Sequence, residues 1–132
     1  MKEKLEILLL DDEIIVGNRL GPALEKAGYD VEVFEDPQKA LNRIHEKEFD
    51  IVVTDIMMAD VNGIQVLEEV RKKSDTTRVI IITGYATVAL AREAMDKGAF
   101  DMIAKPFKPS ELHSVITKAA DSLGYKKIIA KA

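Results

Sequence analysis

The chain has 132 residues, 47% of them apolar, with 19 basic against 23 acidic side chains and a formal charge of −4. This size and apolar content suit one globular domain and argue against disorder, and the mild acidity offers no general attraction for nucleic acid. There is no cysteine, so disulfides and thiolate metal sites are excluded.

The two histidines, His45 and His113, stand far apart in helix-like segments, which suits surface positions rather than a shared metal ion. The amino-terminal run Met1-Lys2-Glu3-Lys4 is charged, and the apolar run behind it is too short for a signal-peptide core. No stretch approaches the ~20 apolar residues of a membrane span, so a cytoplasmic protein without membrane contact is expected.

Five short apolar runs alternate with five helix-like segments. Residues 5–10 predict a first strand. Residues 14–27 predict a helix with Val16, Leu20, Leu24 and Ala27 on one face and Gly28 as its stop. A second strand follows at 31–34. Asp36-Pro37 is a helix start, an acceptor followed by proline at the first position, and that helix runs to about Lys47 with Ala40, Leu41 and Ile44 inward.

The third strand, 51–54, is β-branched and apolar and leads into Asp55. A loop through Asn62-Gly63 precedes a helix ending near Lys73, with Ile64, Leu67 and Val70 inward. Residues 79–83 form a fourth strand and 86–97 a helix stopped by Gly98. A fifth strand covers 101–104, and Pro109 opens a last helix to about Leu123. Residues 1–123 make one domain, and 124–132 form a tail or the start of a linker.

Strict alternation of strand and helix implies a parallel α/β sheet, doubly wound, with helices on both faces. In a flavodoxin-like order 2-1-3-4-5, strands 1, 3, 4 and 5 are neighbours, and ligands bind at their carboxyl ends. Those ends carry Asp11-Asp12-Glu13, Asp55, Thr83 and Lys105. Each alone has a plain structural reading: a helix start for the acidic triplet, a turn for Asp55 and Thr83-Gly84, a surface lysine before a break for Lys105-Pro106. Their coincidence on matching strand ends is what points to a site. Two carboxylates ~5 Å apart at an effective dielectric of ~20 repel by roughly 3 kcal/mol, so the cluster needs Lys105 and a further cation. All-oxygen ligands select a hard ion, Mg²⁺. A metal beside a carboxylate can hold a phosphoryl group, which makes Asp55 a candidate nucleophile that accepts phosphate.

The sequence resembles the receiver domains of bacterial two-component response regulators. The resemblance rests on Leu8-Leu9-Leu10-Asp11-Asp12-Glu13, Asp55-Ile56-Met57-Met58 with Asn62-Gly63, Ile82-Thr83-Gly84-Tyr85-Ala86-Thr87, and Lys105-Pro106-Phe107, over about residues 5–123. The 83–87 and 93–99 runs most resemble receivers attached to σ54-dependent activators.

The resemblance implies Asp55 as phosphoacceptor, Asp12 as a direct Mg²⁺ ligand, Asp11 acting mainly through water, and the backbone carbonyl of Met57 as a further ligand. It implies that Thr83 and Lys105 bind phosphoryl oxygens and act in the switch, and that the Lys105-Pro106 bond is cis. It further implies a regulatory domain, not an enzyme, beyond assisting its own phosphoryl transfer and slow aspartyl-phosphate hydrolysis. A sensor histidine kinase or histidine phosphotransfer protein would be the donor. An output domain, a target or a second copy would meet the face of the fourth helix, fifth strand and fifth helix, with no direct nucleic-acid binding by this domain.

Two positions depart from the family pattern. Ala59 replaces a proline after the acceptor motif, and Met102 stands where the fifth strand usually carries an aromatic switch residue. Methionine is flexible and packs in several ways. Met57 and Tyr85 flank the expected site, and Ala89 and Leu90 are expected on the outward face of the fourth helix.

Three other functions are less well matched. An aspartyl phosphatase resembling the haloacid-dehalogenase family would carry Asp-x-Asp after the first strand, where this chain has Asp11-Asp12-Glu13. A flavin carrier would need a hydroxyl- and glycine-rich phosphate loop there, and acidic residues repel phosphate. A pseudo-receiver would have lost some of Asp11, Asp12, Asp55, Thr83 and Lys105, and all five are present.

Overall fold

A computed structural model describes residues 4–58, 61–84 and 87–124. Expectations attached to Ala59, Tyr85, Ala86 and the tail after Gly124 lie outside the described residues. In chain order the elements are β1 (Glu6–Leu10), α1 (Ile14–Lys26), β2 (Asp30–Phe34), α2 (Pro37–Glu46), β3 (Ile51–Asp55), α3 (Gly63–Lys73), β4 (Arg78–Thr83), α4 (Val88–Asp96), β5 (Asp101–Ala104) and α5 (Pro109–Ser122). All four strand pairings are parallel, and the order is β2-β1-β3-β4-β5, as expected.

The strand period of two divides the core into two layers. Ile7, Leu9, Ile51, Val53, Ile80 and Ile82 face α1 and α5, where they meet Leu20, Leu24, Leu112 and Ile116. Leu8, Leu10, Val52, Val79 and Ile81 face the other way and meet Ala40, Ile44, Ile64, Leu67, Val70 and Ala94. Each such Leu, Ile or Val contributes about 1.5–3 kcal/mol of burial, which is why near-continuous apolar runs make central strands.

Helix starts are set locally. Asp36 accepts from Gln38 N at 2.9 Å, and Thr87 accepts from Leu90 N at 3.1 Å. Asn62 and Gln65 form a reciprocal capping box at α3, each accepting from the other's backbone N–H at 2.9 Å. The Asn62-Gly63 pair is therefore the start of the helix and not a loop before it. Likewise α4 opens at Val88, where Thr87 caps it, two residues later than the apolar pattern indicates.

One outward assignment is corrected. Ala89 is exposed, but Leu90 is half-buried and packs against the layer under α3. The outward apolar residues of α4 are Val88, Ala89 and Met95. Helical spacing of 100° per residue separates Leu90 from Ala89, and Leu90 falls on the edge of the stripe led by Ala94. Met102 is also half-buried in that layer. Among the described residues no helix is long and apolar enough to cross a membrane.

Candidate functional site

The sheet places the acidic residues. The strand order reverses between β1 and β3, since β1 connects outward to β2 on one side and β3 lies on the other. Leu10 pairs with Thr54, so Asp11 and Asp55 leave adjacent strands side by side. Asp55 pairs with Ile82 and Thr83 with Ala104, which sets Thr83 and Lys105 at the next two strand ends. Lys105 N donates to Thr83 O at 2.7 Å, and the Lys105-Pro106 bond is cis.

The side chains then converge. Lys105 Nζ lies 2.9 Å from Asp11 Oδ2, 2.9 Å from Asp55 Oδ2 and 2.8 Å from Glu13 Oε1. Asp11, Asp12 and Asp55 each offer a carboxylate oxygen within 4.8 Å of the others. Asp11, Asp55 and Thr83 are buried, and Asp12 is exposed at the mouth. Glu13 N donates to Asp11 Oδ1 at 2.8 Å, and Met57 N donates to Asp55 Oδ1 at 3.2 Å. These bonds fix one oxygen of each carboxylate by local backbone and leave the other turned to the lysine.

Burial pushes the Asp11 carboxyl up, and the Asp55 charge adds to that, while Lys105 and the Glu13 amide pull it back. Burial pushes the Lys105 ammonium down, but the carboxylates of Glu13, Asp11 and Asp55 outweigh it and push the group up, so it stays protonated. Lys105 holds Glu13 below the usual carboxylate value.

One lysine does not complete the site. The Lys105 contact to Asp11 Oδ2 is ionic but off the hydrogen-bond direction, and that buried oxygen has no hydrogen-bond donor. A buried, under-satisfied carboxylate oxygen among all-oxygen donors fits a hard divalent cation such as Mg²⁺.

The family model for the response regulator receiver domain matches residues 7–117. This chain belongs to that family. It is a phosphoacceptor receiver domain of a two-component system, a class of regulatory domain served by a phosphodonor such as a histidine kinase.

The receiver is 35% identical over 117 residues to the transcriptional regulatory protein ZraR of Klebsiella oxytoca, an alignment covering 89% of this chain and 26% of that protein. The chain thus spans about a quarter of that relative's length. Among solved structures it superposes on a CheY-like receiver domain protein from Methanospirillum hungatei JF-1 with a TM-score of 0.88 at 28% identity, covering 92% of this chain and 97% of the other. It matches the beryllofluoride-activated NtrC4 receiver domain dimer with a TM-score of 0.84 at 30% identity, covering 89% and 98%.

Of the site residues expected from the receiver's sequence, Asp11, Asp55 and Lys105 are in contact and Asp12 completes their cluster. Thr83 is buried at the neighbouring strand end, and Met57 is 63% exposed.

Two residues carry more than sequence reasoning assigned them. Glu13 occupies the N-cap position of α1, yet its side chain caps nothing and instead meets Lys105. Gly63 N donates to Ile56 O at 2.9 Å, bringing the first turn of α3 against the acceptor peptide. The signal for Glu13 was the third acid of a triplet, which reads equally as a helix start. For Gly63 it was the Asn-Gly pair, which reads equally as a turn.

Proposed function

We propose that Asp55 is the phosphoacceptor and that Mg²⁺ is held by Asp11, Asp12, Asp55 and the Met57 backbone carbonyl. The observation that carries this reading is the meeting of Asp11 and Asp55 on Lys105, with Asp12 in the same cluster. When bound, Mg²⁺ neutralises charge on the phosphoryl oxygens.

An Asp55 carboxylate oxygen attacks the phosphorus of a phosphohistidine on a sensor histidine kinase or histidine phosphotransfer protein. The O–P bond forms, the N–P bond breaks, and the imidazole nitrogen keeps the electron pair. Lys105 donates to one phosphoryl oxygen and the Thr83 hydroxyl to another, so both act where charge develops. Slow attack by water on phosphorus releases inorganic phosphate and restores the Asp55 carboxylate.

The new anion draws Thr83 toward it and biases a two-state equilibrium of the α4-β5-α5 face. Exposed Val88 and Met95 on α4 make that face suited to an output domain, a target or a second copy of the chain. The dimeric state of the activated NtrC4 receiver supports the last of these by analogy. The receiver unit is residues 1–123, and 124–132 is a tail or the start of a linker. An output in transcriptional control, in the cytoplasm, fits the names of relatives such as ZraR, with this domain itself making no nucleic-acid contact.

Intact-mass measurement after incubation with acetyl phosphate and Mg²⁺ tests the acceptor. One phosphoryl group is expected on the wild type and none on Asp55→Asn. Phosphorylation that persists in Asp55→Asn would move the acceptor elsewhere.

A further inference from the structure

The Lys105 ammonium donates to Glu13 and Asp55 and meets Asp11 Oδ2 as an ion pair, so three carboxylates share its one positive charge. Nζ contacts Asp11 and Asp55 at 2.9 Å and Glu13 at 2.8 Å. A phosphoryl group on Asp55 brings new anionic oxygens to the same ammonium, where they compete with the carboxylates already there.

The three are not equivalent. The Asp11 side chain is 0% exposed and bound by Glu13 N. The Asp55 side chain is 6% exposed and itself becomes the acyl phosphate. The Glu13 side chain is 64% exposed, so water takes over its solvation when it leaves. A cavity of about 370 Å³ between α1 and the segment after β5 is lined by Glu13, Val16, Lys105 and Phe107, and gives the released side chain room.

A second observation concerns the helix. Asp36, Asn62 and Thr87 stand at N-cap positions, and each accepts a backbone N–H of its own helix. Glu13 stands at the same position of α1 and does not, and α1 has no acidic residue in its first turn. A side chain placed where local physics favours capping reaches instead across 92 positions of sequence to Lys105.

We infer that Glu13 is a latch: it occupies Lys105 in the unphosphorylated domain, competes with the phosphoryl group for that ammonium, and so sets how tightly the acceptor site holds that group. Glu13 is a positioning residue that acts through Lys105. The inference rests on the reading of Asp55 as acceptor.

Beryllofluoride affinity at saturating Mg²⁺ tests it in wild type, Glu13→Gln and Glu13→Asp. An exposed ion pair of this kind is worth a factor of at most about five. Glu13→Gln removes the charge, and a two- to fivefold tightening is expected. Glu13→Asp keeps the charge but is one methylene short of Lys105 and is a strong N-cap, so it turns to the helix and tightens binding as well.

Tightening in Glu13→Gln alone means that through-space repulsion acts without a latch and overturns the inference. Wild-type affinity in both variants overturns it too, while leaving Asp55 as acceptor. A wild type that takes up no beryllofluoride overturns the acceptor reading, and the latch falls with it.

Discussion

Gly63 stands directly against the peptide of Asp55. A Cβ at this position would lie 2.5 Å from the Asp55 carbonyl oxygen and 2.8 Å from the Ile56 Cα, both backbone atoms that no rotamer change can move. The first turn of α3 can approach the acceptor only because residue 63 has no side chain. Gly63→Ala is a test with a defined sign. Alanine gains about 1 kcal/mol of helix propensity, but overpacking against backbone costs about 1–3 kcal/mol, so net destabilisation is expected in urea unfolding. Beryllofluoride binding should weaken with it. A neutral or stabilising result means that α3 slides outward freely and that the close approach is incidental.

Asp12 is the exposed member of the acidic cluster, and exposure makes it the one ligand that substitution removes without leaving a buried hole. Mg²⁺ should bind weakly to the wild type, and Asp12→Ala should lose at least about tenfold in affinity, or ~1.4 kcal/mol. Titration with Mg²⁺, followed by amide shifts of Asp11 and Asp55, measures it. Unchanged affinity would place the ion outside this cluster.

Thr83 ends β4, the strand that pairs with β3 of the acceptor and leads into α4, and Met102 lies half-buried in the layer that holds Ala94 of α4. A charge-assisted hydroxyl bond to the phosphoryl group is worth roughly 1.5–3 kcal/mol, whereas a swing from 1:99 to 99:1 needs about 5.5 kcal/mol. A partial shift is therefore expected on beryllofluoride binding, with the inactive form still detectable. Amide signals of residues 88–97 should move, and Thr83→Ala should reduce the movement. Stationary signals at an occupied Asp55 would leave an acceptor with no switching face.

Arg43 ties α2 to the edge strand β2, with Nε 2.8 Å from Glu32 Oε1 and Nη2 3.0 Å from Oε2. The hydrogen bond from Arg43 holds the Glu32 carboxyl below its ordinary 4.5, against the smaller opposing push of burial. A depressed folded value gives a contribution that is complete above pH 4.5 and lost as pH falls through the folded value. With side chains 33% and 36% exposed and open to solvent screening, the pair makes only a small contribution. Arg43→Met should lose that contribution at about pH 7 and match the wild type at about pH 3 in urea unfolding. An equal deficit at both pH values would assign the effect to packing of the arginine stem.

Much of this receiver is written locally. Ile51, Val52 and Val53 have nowhere to go but a central strand, and Asp36 followed by Pro37 starts a helix in almost any context. Strand–helix alternation then limits the topology, and the topology alone puts Asp11, Asp55, Thr83 and Lys105 on one edge. Local pattern is weaker where two readings share the same residues. The apolar spacing of α4 admits Leu90 on either side of its stripe, and only packing on the α3 layer turns it inward. Glu13 has the charge and position that suit a helix start, and its side chain meets an ammonium 92 residues further along, a partner that no window of sequence contains. Gly63 reads as a turn until the Asp55 peptide is seen against it. Sequence determined the elements and the set of charged groups, because propensity, capping and burial act within a few residues. Tertiary structure decided which oxygen meets which proton, because distances of 2.8–2.9 Å between Lys105 and its three carboxylates depend on the register of four strands at once.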